Sequence, residues 1–106
     1  MNCYMEVTNK IFYTKNGFIE GIHLKWQGFS ILLACGSKGF LACGVFDLTA
    51  LEAFGQAAAL VESSPENPIG NLERFVGRNI TKANSKAKAL GIKEGMSVKE
   101  AFELIA

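Results

Sequence analysis

Phe29–Leu48, FSILLACGSKGFLACGVFDL, decides the fold. It holds two apolar runs, Phe29–Cys35 and Phe40–Phe46, with Gly36-Ser37-Lys38-Gly39 between them. Apolar runs around a glycine-bounded polar turn read as a β-hairpin. Alternation is nearly absent, since Ile31, Leu32, Leu33 and Ala34 follow one another. Strands of that kind are covered on both faces, so the hairpin is expected at the centre of a sheet.

Upstream, Tyr4–Tyr13 is rich in β-formers, with Asn9-Lys10 as a candidate break. Asn16-Gly17 is expected to form a two-residue turn, because both residues tolerate positive φ. Phe18–Trp26 then alternates, placing Ile22, Leu24 and Trp26 on one face and Gly21, His23 and Lys25 on the other. Gln27-Gly28 turns into the central hairpin. The first half is therefore a run of antiparallel strands.

Downstream, Asp47 or Thr49 can cap a first helix, and Thr49-Ala-Leu-Glu52 matches a capping box. Leu48, Leu51 and Phe54 form its expected inward stripe, and Gly55 suits the left-handed position that ends helices. Gln56–Glu62 is compatible with helix by its alanines. Its place after Gly55 and the alternation of Ala57, Ala59 and Val61 favour a strand. Ser63–Gly70, SSPENPIG, is a loop. Leu72–Val76 is a short helical turn closed by Gly77. Ile80–Leu90 is expected as a helix capped by Thr81 or Asn79, with Gly91 at its end and Ile92 in an apolar contact beyond it. Ser97-Val-Lys-Glu100 is a second capping box, with Met96 stapling onto Ala101. Val98, Ala101, Phe102 and Ile105 line the inner face of this last helix. So short a helix has to dock on the sheet to be stable.

The chain has 106 residues, enough for one domain spanning 1–106. It is 49% apolar, which favours a packed core over disorder. A net charge of +1 gives no global attraction to nucleic acid or anionic membrane. The charge is uneven: Met1–Asn71 carries 4 basic and 6 acidic residues, Leu72–Ala106 carries 7 and 4. A Lys-rich helical face in that tail reads first as solvated surface. No apolar run reaches the length that spans a bilayer, and the start shows no signal peptide. Cys3, Cys35 and Cys43 form no C-x-x-C pair, and His23 alone cannot complete a zinc cluster. Reduced thiols in a cytoplasmic protein, with no cofactor, are the expectation.

Phosphate-binding, dinucleotide, serine-hydrolase and zinc-protease signatures are absent. One constellation remains. Cys43-Gly44-Val45-Phe46-Asp47 sets a thiol near a strand end, a flexible residue after it and a carboxylate at a helix start. Ligand sites favour such junctions, and a helix N-terminus favours thiolate. Cys43, Gly44 and Asp47 are therefore the candidate ligand-binding residues. The structural alternative is a small core residue, a close-packing glycine and an N-cap. His23, on the polar side of its strand, reads as a surface histidine; any Ser-His or Cys-His site would need it. Cys35 and Cys43 are spaced too far apart for a disulfide.

GFLACGVFD resembles the Gly-aromatic-x-Met-Cys-Gly-x-x-Asp/Asn block of the YunC-like domain-of-unknown-function proteins of archaea and bacteria. ALGIKEGMSVKEAFELI resembles their closing block, Leu-Gly-Ile-Lys-x-Gly-Met-Ser-Gly-x-Glu-Ala-Leu. The likeness runs from about Gly28 to Ala106. Ala42 replaces a usual Met, Val98 replaces a usual Gly, and SSPENPIGNLERFV is longer than its counterpart. The resemblance implies an α+β two-layer sandwich: a mostly antiparallel sheet from the N-terminal hairpins, with three to four short helices. It supports a strand at Gln56–Glu62 and implies no activity.

Three functions are open on these residues. The first is a self-associating domain, a homo-oligomer such as a dimer, with a small molecule at Cys43 and Asp47; few helices cannot cover both faces of so apolar a sheet. The second is a thiol-dependent enzyme using Cys43. The third is a nucleic-acid binder through Lys82, Lys86, Lys88 and Lys93.

Overall fold

A computed structural model of the protein describes residues 5–27, 29–44, 46–64 and 66–106. Readings that touch Cys3, Tyr4, Gly28, Val45 and Pro65 lie outside the described residues. Strands β1 (Glu6–Thr14), β2 (Gly17–Trp26), β3 (Phe29–Cys35) and β4 (Phe40–Ala42) form an antiparallel meander. β1 shows no break: Asn9 and Lys10 pair with Ile22 and Gly21. The first turn lies one residue earlier than Asn16-Gly17. Thr14 pairs with Gly17, so Lys15-Asn16 form the loop and Gly17 opens β2 with φ 149°. The Thr14 hydroxyl sets this register by accepting from the Asn16 amide at 3.1 Å and donating to the Gly17 carbonyl at 2.8 Å.

Helix α1 (Leu48–Ala53) leads into β5 (Ala58–Val61), which runs parallel to β4. The strand expected over Gln56–Glu62 is thus present, with Ala57, Ala59 and Val61 buried. Asp47 is the cap of α1: its Oδ1 accepts from the Thr49 and Ala50 amides at 2.9 and 3.2 Å. Thr49 is inside the helix, and Glu52 reaches away from it to accept from the Ser85 amide and hydroxyl, both at 2.6 Å. Phe54 departs from the inward stripe and is 81% exposed.

Helix α2 (Leu72–Val76) precedes β6 (Ile80–Ala83), α3 (Ser85–Ala89) and α4 (Val98–Ile105). Ile80–Leu90 is therefore not one helix. Its β-branched start pairs with β5, burying Ile80 and Ala83. Asn84, not Thr81 or Asn79, makes the turn. Its Oδ1 accepts from the Ala87 amide at 3.0 Å and the Ala58 amide at 3.2 Å, and its amide group donates to the Gln56 carbonyl at 2.9 Å. One buried side chain thus caps α3 and ties it to β5.

The sheet is six-stranded, in the order β1-β2-β3-β4-β5-β6, so the Phe29–Ala42 hairpin is central. Its helices are unevenly shared. Residues paired across a ladder share a face, so Phe12, Ile19, Gly21, His23, Leu32, Ala34 and Leu41 lie on one side. α2 and α4 cover that side: Phe102 packs on Phe12 at 5.4 Å, and Leu72 sits over Gly21. α1 lies on the other side, where Phe46 meets Phe40 at 6.3 Å. It packs on β5, while Val7, Ile11, Tyr13 and Phe18 on that face stay exposed.

The C-terminus of α4 closes the structure. The Lys38 amide donates to the Ile105 carbonyl at 2.8 Å, and a Cβ on Gly36 would run into that same carbonyl. Gly36→Ala should therefore cost roughly 1–3 kcal/mol or more by overpacking against backbone. Gly44→Ala, with nothing within 4 Å of its Cβ position, should change stability by less than about 0.5 kcal/mol. Phe102→Ala should cost roughly 3–5 kcal/mol, and Ser97→Ala, which removes the cap on the Glu100 amide, about 1 kcal/mol. Urea denaturation measures all four.

Candidate functional site

Beyond the end of β4, Cys43 still donates its amide to the Leu32 carbonyl at 3.0 Å. That puts Cys43 on the helix-covered face, 5% exposed. Beside it lies a cavity of about 720 Å³, bounded by Lys25, Ser30, Leu32, Cys43, Gly44 and Ile69, among others. The far wall is the loop after β5, pinned by Arg78. This guanidinium, 9% exposed, donates to the carbonyls of Asn67 and Pro68 at 2.9 Å each, to Asn67 Oδ1 at 3.1 Å and to the Glu62 carbonyl at 3.3 Å. Carbonyl dipoles thus solvate a charge that has no carboxylate partner among the described residues. Only the tertiary path of the loop makes Arg78 a structural clamp; as one basic residue among several in the tail, it carries no mark in the sequence.

The three candidate residues divide. Cys43 and Gly44 share the cavity, whereas Asp47 caps α1 and lines a separate cleft of about 470 Å³ with Glu52, Lys82 and Glu94. The Asp47 carboxylate occupies the N–H groups that open α1. His23 is half-buried on the same face as Cys43, and its Nε2 lies 3.0 Å from Ser30 Oγ. The sequence places His23 on the polar side of β2; the helices then pack on that side.

Cys35 stands on the opposite face, across the ladder from Glu20. Burial, and then the Glu20 carboxylate, pushes its thiol above the ordinary range. Cys35 and Cys43 are both free thiols. Among the described residues no three His, Cys, Asp or Glu side chains gather as a metal site. Among the described residues no helix is long and apolar enough to cross a membrane. The tail lysines do not form one helical face: Lys82 is on β6 beside acidic groups of the Asp47 cleft, while Lys86 and Lys88 are on α3.

The fold and cavity define a small α+β protein with a mixed sheet and a side pocket. The family model described as "Domain of unknown function (DUF1805)" matches residues 42–105, more than half of the chain. The protein belongs to that family. A crystal structure of a protein of unknown function, TA1206 from Thermoplasma acidophilum, is similar at a TM-score of 0.78 and 16% identity, over 100% of this chain and 97% of that one. This likeness shows the fold. No curated protein matches.

Thiol accessibility checks the site geometry. In a Cys3→Ser background, Cys43 should alkylate slowly in the native protein and at the normal rate in denaturant. Cys35 should become reactive only at a pH above that of an ordinary thiol, because its thiolate is disfavoured. Glu20→Gln removes the second cause and should shift Cys35 reactivity modestly to lower pH. Rapid native labelling of Cys43 would contradict its burial.

Proposed function

We propose that this protein is a small, cytoplasmic, self-associating domain, in which two copies join through the outer face of β1–β3. One observation carries this. Val7, Ile11, Tyr13, Phe18, Ile22, Leu24, Trp26, Phe29, Ile31 and Leu33 share that face by register. Val7 is 59% exposed, Phe18 60% and Tyr13 84%, and no helix covers them.

The occupant is best a second copy. The strands make a face roughly 30 Å by 14 Å from their rise and spacing, or roughly 400 Å² in projection, and more once side chains stand out from it. That is the size of the largest apolar patch a typical monomer exposes, a patch that is often functional. It is about half of the roughly 800 Å² each partner gives to a stable dimer, and the side chains standing out from the sheet add to it. Across β1 and β2 its polar groups are Asn9 and Glu20, bonded to each other at 2.7 Å. A surface so nearly uncharged offers little to a charged partner and suits its own copy, sheet on sheet about 10 Å apart.

Sedimentation at micromolar concentration should show a dimer. Val7→Lys and Phe18→Lys should each shift it to monomer with the circular-dichroism spectrum unchanged, since both sites are exposed. A wild-type protein that stays monomeric at high concentration would sink the proposal.

A further inference from the structure

We infer that the cavity beside Cys43 and Gly44 binds a small organic carboxylate with an apolar body, gripped by Lys25 and Ser30. Lys25 and Ser30 are direct cross-strand partners on the helix-covered face. Their Cβ atoms are therefore about 5 Å apart, a span that one carboxylate group bridges. Glu6 stands across the other ladder from Lys25, yet no ion pair joins them. Lys25 is the one cation among the described residues lining the cavity, and no acid lines it.

His23 completes the anchor. His23 Nε2 lies 3.0 Å from Ser30 Oγ; in the tautomer that carries its proton on Nε2 the ring donates to the serine oxygen, which leaves the hydroxyl hydrogen free to donate to an anion. Among the described residues no carboxylate bonds the His23 ring, so the pair lacks the third group that orients a nucleophilic serine. The arrangement is one for binding.

Gly44 is the second, independent observation. Its φ lies outside the left-handed region, and a Cβ there would meet nothing within 4 Å. Among the described residues, neither its φ nor its packing calls for glycine. It keeps open a part of the cavity wall on which a ligand can lie against backbone. Leu32, Pro68 and Ile69 supply the apolar surroundings. One cation without an arginine or a helix N-terminus suits a monoanion better than a phosphate dianion. The volume suits a small molecule.

Nuclear magnetic resonance titration tests this, with benzoate and hexanoate as probes, benzamide and hexanol as neutral counterparts, and phenyl phosphate as the competing anion. Benzoate or hexanoate should shift the amide signals of Ser30, Cys43, Gly44 and Ile69 at millimolar concentration. The neutral counterparts should bind at least about tenfold more weakly, the size of a lost charge-assisted hydrogen bond. Lys25→Gln should weaken the carboxylates by about the same factor, while Lys25→Arg retains them. Gly44→Val should block binding with an unchanged melting temperature. The inference is overturned if no carboxylate shifts these signals, if the amide or alcohol binds equally, if phenyl phosphate binds more tightly, or if Lys25→Gln has no effect in a folded protein. Phe29 borders both the cavity and the dimer face, but the two readouts fail separately, because the altered residues Lys25 and Gly44 line the cavity and Val7 and Phe18 do not.

Discussion

The last turn of α4 is held by the turn between β3 and β4, and much else depends on that contact. The Ile105 carbonyl has no partner further along its helix, and the Lys38 amide satisfies it. The approach is so close that only hydrogen fits at Gly36. With its end fixed there, α4 lays Phe102 on Phe12 of β1. Glu103 accepts at its side chain from the Lys15 amide, and its carbonyl accepts from the Asn16 side chain. The tip of the first hairpin and the centre of the sheet are thereby tied to one helix of eight residues. A helix of that length has little stability by itself; it exists because the sheet holds it, and it in turn sets how the two hairpins sit.

Fixing α4 and α2 on one side creates an asymmetry. Ile19, Ala34 and Leu41 on that side are fully buried, while on the opposite side of β1 and β2 Val7, Ile11, Tyr13 and Phe18 are left exposed. α1 cannot cover them, because the parallel β4–β5 connection needs it directly over those two strands. The same crossover sends Asp47 to one face and leaves Cys43 on the other. The Cys43–Asp47 stretch thus serves two separate surfaces: a cap and cleft on α1, and a cavity under the Arg78-held loop.

That loop shows how a turn-rich stretch can be held in place by one side chain. Ser63–Gly70 is rich in turn residues, and its described residues form no regular element beyond a Ser64–Asn67 bridge. Arg78 orders it with four hydrogen bonds, three of them to backbone carbonyls that would otherwise need water. A buried guanidinium is costly to desolvate unless its donors are met, so loop and arginine depend on each other. The cavity wall follows from that mutual dependence.

Local chemistry explains what was legible in the residues. The central hairpin, the strand at Ala58–Val61, Gly55 and Gly91 as helix ends, Ser97 as cap and the buried stripe Val98, Ala101, Phe102 and Ile105 all follow from turn types, periodicity and capping, which act over a few residues. Three things needed the folded chain. Ile80–Ala83 is strand because β5 had an unpaired edge, which outweighed the helical spacing of its alanines. His23 joined the covered side because apolar and polar faces of β2 were exchanged: α2 and α4 packed over Gly21, where a close approach is possible, and left Ile22 and Leu24 outside. Lys25, Ser30, Cys43 and Gly44 came to one cavity through strand register and a distant arginine, neither of which any local pattern encodes. Short-range backbone preferences are written residue by residue, whereas the choice of which sheet face is buried is a property of all the elements that compete to cover it.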